Sequence, residues 1–224
     1  MPEIFSIAID GPAGAGKSTI AKALAKSLDA MYLDTGAMYR AIGLAMQRQG
    51  IDLSDAAAVA ANVDDIDIAV LYEGGAQHIY LGGEDVSQAI REPEISIAAS
   101  AVSKVPEVRV RMVALQREIA RGQNVVMDGR DIGTKVLPDA TLKVYLTASA
   151  EVRARRRCLE LEQKGMPEPY EKVLSEMIER DYQDTHRAAS PLMKAEGAVE
   201  VDSSDMTLEQ VVAAIEGLAR ARIG

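Results

Sequence analysis

Short apolar runs alternate along the chain with longer stretches in which apolar residues recur every three or four positions. The run IFSIAID (4–10) is almost continuously apolar, as in a strand buried on both faces of a parallel sheet. NVVMDG (124–129), LKVYLTA (142–148) and AVEVDSS (198–204) predict three further strands, and MYLD (31–34) a fifth.

Helical periodicity fills the intervals between these strands. It is clearest in STIAKALAKSLDA after the first strand, in EVRVRMVALQREIARG ending at Gly122, and in TLEQVVAAIEGLARARI at the C-terminus. Alternating strands and helices predict an α/β fold with a parallel, doubly wound sheet and helices on both faces.

Two regions interrupt this alternation. Residues 65–87, DIDIAVLYEGGAQHIYLGGEDVS, contain two β-like runs around Gly74-Gly75, which predicts an antiparallel hairpin inserted into the α/β domain. The charged stretch RARRRCLELEQKGMPEPYEKV has a helical pattern that is broken by Gly165, Pro167 and Pro169.

Composition narrows the class of protein. At 224 residues the chain fits one sizeable domain, and its net charge of −9 argues against non-specific binding to nucleic acid. Cys158 is the only cysteine, which suits a reducing compartment. The N-terminal MPEIF lacks the pattern of a secretory signal, and no apolar run approaches the roughly 20 residues needed to span a membrane. We expect a cytoplasmic protein.

The segment after the first strand predicts a phosphate-binding loop. Residues 11–18, GPAGAGKS, fit the pattern G-x-x-x-x-G-K-[ST] between a strand and a helix. Glycines let successive N–H groups point inward as an anion nest, and the following helix adds its positive N-terminus. Lys17 is expected on the β- and γ-phosphates, Ser18 on Mg²⁺, and Thr19 on the α-phosphate.

The loop leaves the fate of the nucleotide open. No N-K-x-D stretch is present, which argues against a switch GTPase. NVVMDGRD offers Asp128 and Asp131 as metal ligands, but the Arg130 between them favours recognition of a second anionic molecule over magnesium ligation alone. A solvated loop or a local salt bridge is the alternative interpretation.

Three further segments carry polar groups that suit an anionic ligand. LDTGAMYRA places donors such as Tyr39 and Arg40 after a strand, where a doubly wound sheet binds ligands. An arginine run follows Glu151, and it predicts either a solvated helix face or a mobile lid over the reacting phosphates. ERDYQDTHR places Arg180, Asp184 and Arg187 at i, i+4 and i+7, on one helical face.

Together these segments resemble the bacterial cytidylate kinases, which are P-loop nucleoside monophosphate kinases. The resemblance covers nearly the whole chain and is carried by IDGPAGAGKST, LDTGAMYR, GEDVS, DGRDIGT, RARRR and ERD, in family order. It implies a P-loop three-layer fold with a five-stranded parallel sheet, a small antiparallel β insertion and an arginine-rich lid. It also implies transfer of the γ-phosphoryl group of ATP to CMP or dCMP, with Mg²⁺ bound as MgATP.

The resemblance assigns roles residue by residue. The ATP-binding residues it implies are Gly11, Pro12, Ala13, Gly14, Ala15, Gly16, Lys17, Ser18, Thr19 and Arg156. The CMP-binding residues are Thr35, Tyr39, Arg40, Ser100, Arg109, Arg130, Asp131, Arg180, Asp184 and Arg187. The catalytic residues are Lys17, Arg130, Arg153, Arg157 and Arg187, and the metal-binding residue is Ser18.

The resemblance divides the CMP-binding residues into three groups, according to the part of CMP that each group contacts. Ser100, Arg109 and Asp131 match positions that read the cytosine edge; Arg40, Arg130 and Arg187 match positions that hold the monophosphate; Arg180 and Asp184 match positions that hold the ribose. Thr35 stands where some relatives carry serine, so it keeps the hydroxyl and adds a methyl group.

The resemblance also predicts how the chain is organised. One kinase domain, 1–224, would comprise a core (about 1–36, 105–150 and 188–224), a monophosphate-binding region with the hairpin (about 37–104), and a lid (about 151–187). A monomer is expected, with nucleotides as its partners and neither nucleic acid nor membrane. Two alternatives stay open: a P-loop kinase of UMP, AMP or a non-nucleotide such as shikimate, and a non-catalytic nucleotide-binding regulator.

Overall fold

The computed structural model of the protein describes residues 4–73 and 75–224. Eight helices and eight strands lie within those ranges. In chain order they are β1 Ser6–Asp10, α1 Lys17–Ser27, β2 Met31–Asp34, α2 Thr35–Arg48, α3 Ala56–Asn62, β3 Ile68–Glu73, β4 Ala76–Leu81, β5 Glu84–Asp85, α4 Pro93–Val102, α5 Pro106–Ala120, β6 Val125–Gly129, β7 Leu142–Thr147, α6 Ala150–Gln163, α7 Tyr170–His186, β8 Val199–Asp202 and α8 Leu208–Ile223.

The main sheet has five strands in the order β2-β6-β1-β7-β8. The central strand β1 is parallel to both of its neighbours, with Ile7 opposite Val126 of β6 and Leu142 of β7. Ile7 and Ile9 are fully buried, as the continuous apolar run predicts for a strand covered on both faces. The predicted five-stranded parallel sheet flanked by helices is confirmed.

A second, antiparallel sheet contains β3, β4 and β5. Strands β3 and β4 pair from Ile68 opposite Leu81 to Glu73 opposite Ala76, so the predicted hairpin is confirmed. The predicted turn includes Gly74, which lies outside the described residues. The short strand β5 follows the turn at Gly82, and this third strand goes beyond the prediction.

Local residue chemistry explains where several helices begin and end. Asp34 caps α2 and accepts a hydrogen bond from Ala37, so Thr35 is the first helical residue and not the cap. Pro106 begins α5, where its missing N–H costs no helical hydrogen bond. This helix ends at Ala120, two residues before the predicted end at Gly122.

The chain divides into two compact units, and the boundary falls within β2. The first contains residues 4–31 and 122–224, and the second contains residues 32–121, apart from Gly74. The predicted subdivision into core, monophosphate-binding region and lid stays a prediction. Within the described part of the chain, no helix is both long and apolar enough to cross a bilayer.

Candidate active site

The loop between β1 and α1 has the backbone geometry of an anion-binding loop. Gly14 and Gly16 have φ of 74° and 86°, in the left-handed region that favours glycine. A Cβ at Gly11 would lie 1.9 Å from the carbonyl oxygen of Leu146 in β7, so a side chain does not fit there. No described side chain caps α1 at Gly16, which suits a helix N-terminus that receives an anion.

Lys17 is the first residue of α1, and only 6% of its surface is exposed. Its Nζ donates to the carbonyl oxygen of Pro12 at 2.7 Å, so the amine folds back over the loop. Burial lowers the pKa of Lys17 well below its ordinary value, and Arg130 lowers it further, against the opposing effect of Asp128 and Asp10. A bound polyphosphate would favour the charged amine.

Ser18 and Asp128 meet near the carboxyl end of β6. Ser18 Oγ donates to Oδ2 of Asp128 at 2.8 Å, and Asp128 is buried. Hydroxyl and carboxylate oxygens are hard ligands of the kind that Mg²⁺ takes together with nucleotide phosphates. The pair therefore fits a magnesium ion. Asp128 was not among the predicted metal-binding residues, because the adjacent Arg130 favoured anion recognition.

Asp10, the last residue of β1, holds the start of the π-helical segment Ile132–Val136. Its carboxylate oxygens accept from the N–H groups of Ile132 at 2.8 Å and Gly133 at 2.7 Å. Burial raises the pKa of Asp10 to about 6, although the two N–H groups lower it. Asp10 thereby fixes the chain that directly follows Arg130 against the strand that leads into the phosphate loop.

Arg130, Asp184 and Arg187 form one charged cluster in the first unit. Arg130 Nε donates to Asp184 Oδ2 at 2.9 Å, and Arg187 Nη1 lies 3.7 Å from Asp184 Oδ1. Burial by itself would raise the pKa of Asp184, but Arg130, Arg180 and Arg187 outweigh it and hold that pKa below its ordinary value. The structure therefore brings three predicted acceptor-binding arginines together around the carboxylate of a fourth predicted residue, Asp184.

The prediction that Arg187 lies on a helical face with Arg180 and Asp184 is wrong. Helix α7 ends at His186, and Arg187 has an extended backbone with ψ of 143°. Its Nε donates to the carbonyl oxygen of Ser190 at 2.6 Å. Arg187 reaches Asp184 from the chain that leaves the helix.

Arg153 is almost fully buried, and its guanidinium bonds three groups of the protein. Its Nε donates to Ala148 O at 2.8 Å, and its Nη1 donates to Ala13 O of the phosphate loop at 3.0 Å. Its guanidinium also forms a two-pronged ion pair with Asp181 of α7, with distances of 3.1 Å and 2.5 Å. In this arrangement Arg153 fastens α6 and α7 to the loop.

The other predicted lid arginines have different surroundings. Arg156 donates to the hydroxyl and carbonyl oxygens of Ser203, at 3.2 Å and 2.6 Å, just after β8. Arg157 pairs with Glu160 at 2.8 Å, and 37% of its side chain is exposed. Part of the Arg157 side chain is therefore accessible to a ligand.

The second unit has its own charged cluster at the start of α2, which contains the predicted acceptor residue Arg40. Asp34 Oδ2 accepts from Arg91 Nη1 at 3.0 Å and lies 3.7 Å from Arg40 Nη1. That nitrogen of Arg40 is buried and has no hydrogen-bond partner among the described residues. A buried donor without a partner is costly, so an oxygen of an anionic ligand fits at this position.

Tyr39, Ser100 and Arg109 also converge within the second unit. The guanidinium carbon of Arg109 lies 5.5 Å from the centre of the Tyr39 ring, and its Nη1 donates to Ser103 O at 3.1 Å. Ser103 Oγ in turn donates to Ser100 O at 3.0 Å. Helices α2, α4 and α5 therefore bring these three predicted residues into one group. Thr35, at the start of α2, is buried.

Three aspartates in these clusters were not predicted, namely Asp10, Asp34 and Asp181. Two of them had a signal in the sequence, since Asp10 and Asp34 each end a strand directly before a predicted binding segment. Asp181 had none beyond its position beside Arg180, because its partner Arg153 is 28 residues away in the chain.

Comparison with known proteins identifies the family. The family model described as cytidylate kinase matches residues 7–221. A cytidylate kinase from Caldanaerobacter subterraneus subsp. tengcongensis is 54% identical over 206 residues, covering 92% of this chain and 90% of that protein. A cytidylate kinase from Mycobacterium avium is 51% identical over 217 residues, covering 96% and 95%.

Among solved structures, a shikimate kinase from Bacteroides thetaiotaomicron has a TM-score of 0.50 and 14% identity, covering 97% of this chain and 99% of that one. At that identity the likeness shows the fold alone. The family match spans the phosphate loop, the Arg130–Asp184–Arg187 cluster and the α2 cluster alike. This chain belongs to the cytidylate kinase family.

Proposed function

We propose that this protein transfers the γ-phosphoryl group of ATP to CMP or dCMP, giving CDP or dCDP and ADP. The observation that carries this proposal is the family match over residues 7–221, because it includes both the phosphate loop and every predicted acceptor-binding residue. The fold alone would not choose the acceptor, since a shikimate kinase shares it.

The donor nucleotide binds to the phosphate loop. Its backbone N–H groups and the N-terminus of α1 hold the phosphates, and the Lys17 amine leaves Pro12 O for the β- and γ-phosphate oxygens. Thr19 bonds the α-phosphate. Arg156, which is anchored at Ser203, contributes to the nucleotide site beyond the loop.

Ser18 and Asp128 would hold the magnesium ion of MgATP. The 2.8 Å hydrogen bond between them places a hydroxyl and a carboxylate side by side beneath the loop. The ion supplies positive charge to the phosphate oxygens during transfer.

The first unit supplies one set of contacts to the acceptor. Arg130 and Arg187 bind the monophosphate, and the Asp184 carboxylate, kept ionised by the surrounding arginines, orients them and accepts from the ribose. Arg180 also bonds the ribose. Asp131 accepts from the exocyclic amine of cytosine, a donor that uracil lacks.

The second unit supplies another set. Arg40 binds the monophosphate through the buried Nη1 that has no hydrogen-bond partner among the described residues. Arg109, held by Tyr39 and Ser103 O, donates toward the O2 and N3 side of cytosine, assisted by Ser100. Thr35 contributes its hydroxyl at the start of α2.

Transfer is an in-line displacement that needs no covalent enzyme intermediate. The acceptor phosphate is already a nucleophile, so the protein contributes positioning and electrostatic stabilisation, by Lys17, Arg130, Arg153, Arg157 and Arg187. Arg153 acts from its ion pair with Asp181 by holding the loop, and the more exposed Arg157 is available to the transferring phosphoryl group.

The histidines have other partners. His78 bonds Asp85 at 2.9 Å, and His186 stacks on Tyr182 with ring centres 4.1 Å apart, so neither is proposed as an acid or base. We place the enzyme in the cytoplasm as a monomer, with nucleotides as its partners and neither nucleic acid nor membrane. The single cysteine suits that compartment.

An acceptor panel tests this function. ADP formation from ATP is measured with CMP, dCMP, UMP, AMP and shikimate, and either cytidine nucleotide should exceed the others in kcat/KM by about tenfold or more. Preference for UMP, AMP or shikimate would assign a different kinase. ADP formation that no acceptor stimulates would favour a nucleotide-binding regulator.

A further inference from the structure

The antiparallel sheet of the second unit is joined to the start of α2 by two of its side chains. Tyr72 of β3 and Gln77 of β4 are directly opposite each other in the hairpin, so both side chains leave the same face of that sheet. Both end on the main chain of β2. Tyr72 OH donates to Tyr32 O at 2.5 Å, and the Gln77 amide bonds Asp34.

The Gln77 side chain forms hydrogen bonds to β2 of the kind that a neighbouring strand would form. Its Oε1 accepts from Asp34 N at 2.7 Å, and its Nε2 donates to Asp34 O at 3.2 Å, so one amide satisfies both backbone groups of one residue. Strand β2 stands at the end of the sheet order, so one of its edges faces no other strand of that sheet. The hairpin side chains bond the Tyr32 carbonyl and both backbone groups of Asp34 on β2.

Asp34 is the residue through which this clamp reaches the predicted acceptor site. Its side chain caps α2 at Ala37 N, accepts from Arg91 and lies 3.7 Å from Arg40 Nη1. The clamp fixes the Asp34 backbone, and the fixed backbone sets the direction in which the carboxylate meets α2 and the two guanidinium groups. A shift of Asp34 would therefore move Arg40 relative to the helix N-terminus.

We infer that Gln77 is a positioning residue for the acceptor phosphate, acting through Asp34 on Arg40, with Tyr72 as the second half of the clamp. This inference rests on the proposed function, in which Arg40 binds the CMP phosphate. The inserted sheet thus contributes to acceptor binding through its hydrogen bonds to β2, and it does so without touching the nucleotide.

The chemistry of Tyr72 agrees with this arrangement. Burial and the nearby charge of Asp34 raise the pKa of the Tyr72 hydroxyl, so it remains a hydrogen-bond donor at any pH at which the enzyme would be assayed. Tyr72→Phe removes that one donor and keeps the ring. Gln77→Met removes the amide and keeps an unbranched side chain of similar length.

The test compares acceptor and donor kinetics in these variants. Gln77→Met should raise the KM for CMP about three- to tenfold, because two hydrogen bonds to a buried backbone residue are lost. Its KM for ATP and its kcat should stay within about twofold, since the phosphate loop is untouched. Tyr72→Phe should raise the KM for CMP by a smaller factor, about twofold to threefold.

Glu84→Gln is the matched control. Glu84 belongs to the same sheet and pairs with Arg48 at the C-terminal end of α2, at 2.7 Å and 3.0 Å. The variant loosens a contact between the sheet and α2 at the end remote from Asp34. Its KM for CMP should match the wild-type value within about twofold, because an exposed ion pair contributes little.

A double-mutant cycle separates positioning from general destabilisation. If Gln77 acts through Arg40, Gln77→Met should change the KM for CMP little once Arg40→Met is present, whereas independent effects would multiply. The inference would be overturned if the two substitutions raised the KM for CMP by factors that multiply, or if Gln77→Met left that KM unchanged. Either result would leave the proposed function intact, since the wild-type enzyme would still phosphorylate CMP. If Gln77→Met does not fold, the same cycle with Tyr72→Phe decides. An inactive wild-type protein would instead contradict the proposed function.

Discussion

The two strand-to-helix junctions that carry anion-binding residues are built in opposite ways. Between β1 and α1, the residues Gly11–Gly16 separate strand from helix, and no described side chain caps the helix at Gly16. Between β2 and α2 there is no loop, because Asp34 ends the strand and Thr35 begins the helix. Here the Asp34 carboxylate already occupies the N–H of Ala37.

This difference changes what each junction can offer an anion. The first presents backbone N–H groups and a helix N-terminus, so its chemistry follows from local backbone conformation. The second has a carboxylate at its helix N-terminus, so a phosphate there would need the positive charge of side chains such as Arg40, which lies beside Asp34 together with Arg91. A site made of backbone can be identified from one short motif. A site made of side chains depends on partners that are distant in the chain.

The largest effect is expected at the first junction. Lys17→Ala should lower kcat by about 10³-fold, because the loop loses the buried amine that we propose for the β- and γ-phosphates. The circular dichroism spectrum and thermal midpoint should remain close to wild type. Lys26→Ala on the same helix is the control, since Lys26 is exposed in the last turn. A Lys17→Ala enzyme that kept about a tenth of its kcat would disprove the role of this residue.

The second junction should respond differently. Arg40→Met should lower kcat/KM for CMP by about 10²-fold and leave the KM for ATP within about twofold, because the phosphate loses a charge-assisted hydrogen bond. Arg48→Met is the matched control, as Arg48 lies on the same helix and pairs with the exposed Glu84. Equal losses for ATP and CMP would mean that the two junctions do not divide donor from acceptor binding.

A smaller effect than that of Arg40→Met is expected at Arg180, a predicted acceptor-binding residue that is exposed. Arg180→Met should raise the KM for CMP about tenfold while ATP binding stays unchanged, because Arg180 is one of three arginines around Asp184. Lys172→Met on the same helix serves as the control, since Lys172 pairs with Glu168 on the surface. An unchanged KM and kcat for CMP would show that Arg180 does not contact the acceptor.

The contrast between the junctions explains how much the sequence could predict. The five strands of the main sheet were predicted within one or two residues at each end, because each contains a short apolar run, although only β1 and β6 are buried along almost their whole length. The phosphate loop was predicted because its residues are contiguous. The sequence predicts helix α7 one residue too long. Nothing in THR (185–187) marks the change from helical to extended backbone at Arg187.

The contacts that position the acceptor residues were beyond prediction. Gln77 bonds Asp34 across 43 positions of the chain, and Arg91 bonds Asp34 across 57. The residues around Gln77 and Arg91 in the sequence give no indication of which residue each side chain bonds. Only the folded second unit brings both side chains to Asp34. The hairpin itself was predicted, but its hydrogen bonds to β2 were not.

The smallest effect is expected for Asp10, which ends β1 as Asp34 ends β2. Asp34 caps the helix that follows it, whereas Asp10 binds a segment distant in the chain. With a folded pKa of about 6 against an ordinary 3.8, native Asp10 binds more protons than the unfolded chain between those values. Its contribution to stability is therefore present at low pH and is lost as pH rises through about 6. From about pH 5.5 to about pH 7.5 the loss amounts to about 0.8 kcal/mol.

Asp10→Asn isolates this effect because asparagine does not titrate. The free energy of unfolding in urea, wild type minus variant, should fall by that amount from about pH 5.5 to about pH 7.5. Asp202→Asn is the control, since Asp202 ends β8 on the surface and the Ser204 hydroxyl lowers its pKa, so its difference should not change with pH. A constant difference for Asp10→Asn would mean that native Asp10 stays ionised. In that case the two backbone N–H donors to Asp10 would outweigh the effect of its burial.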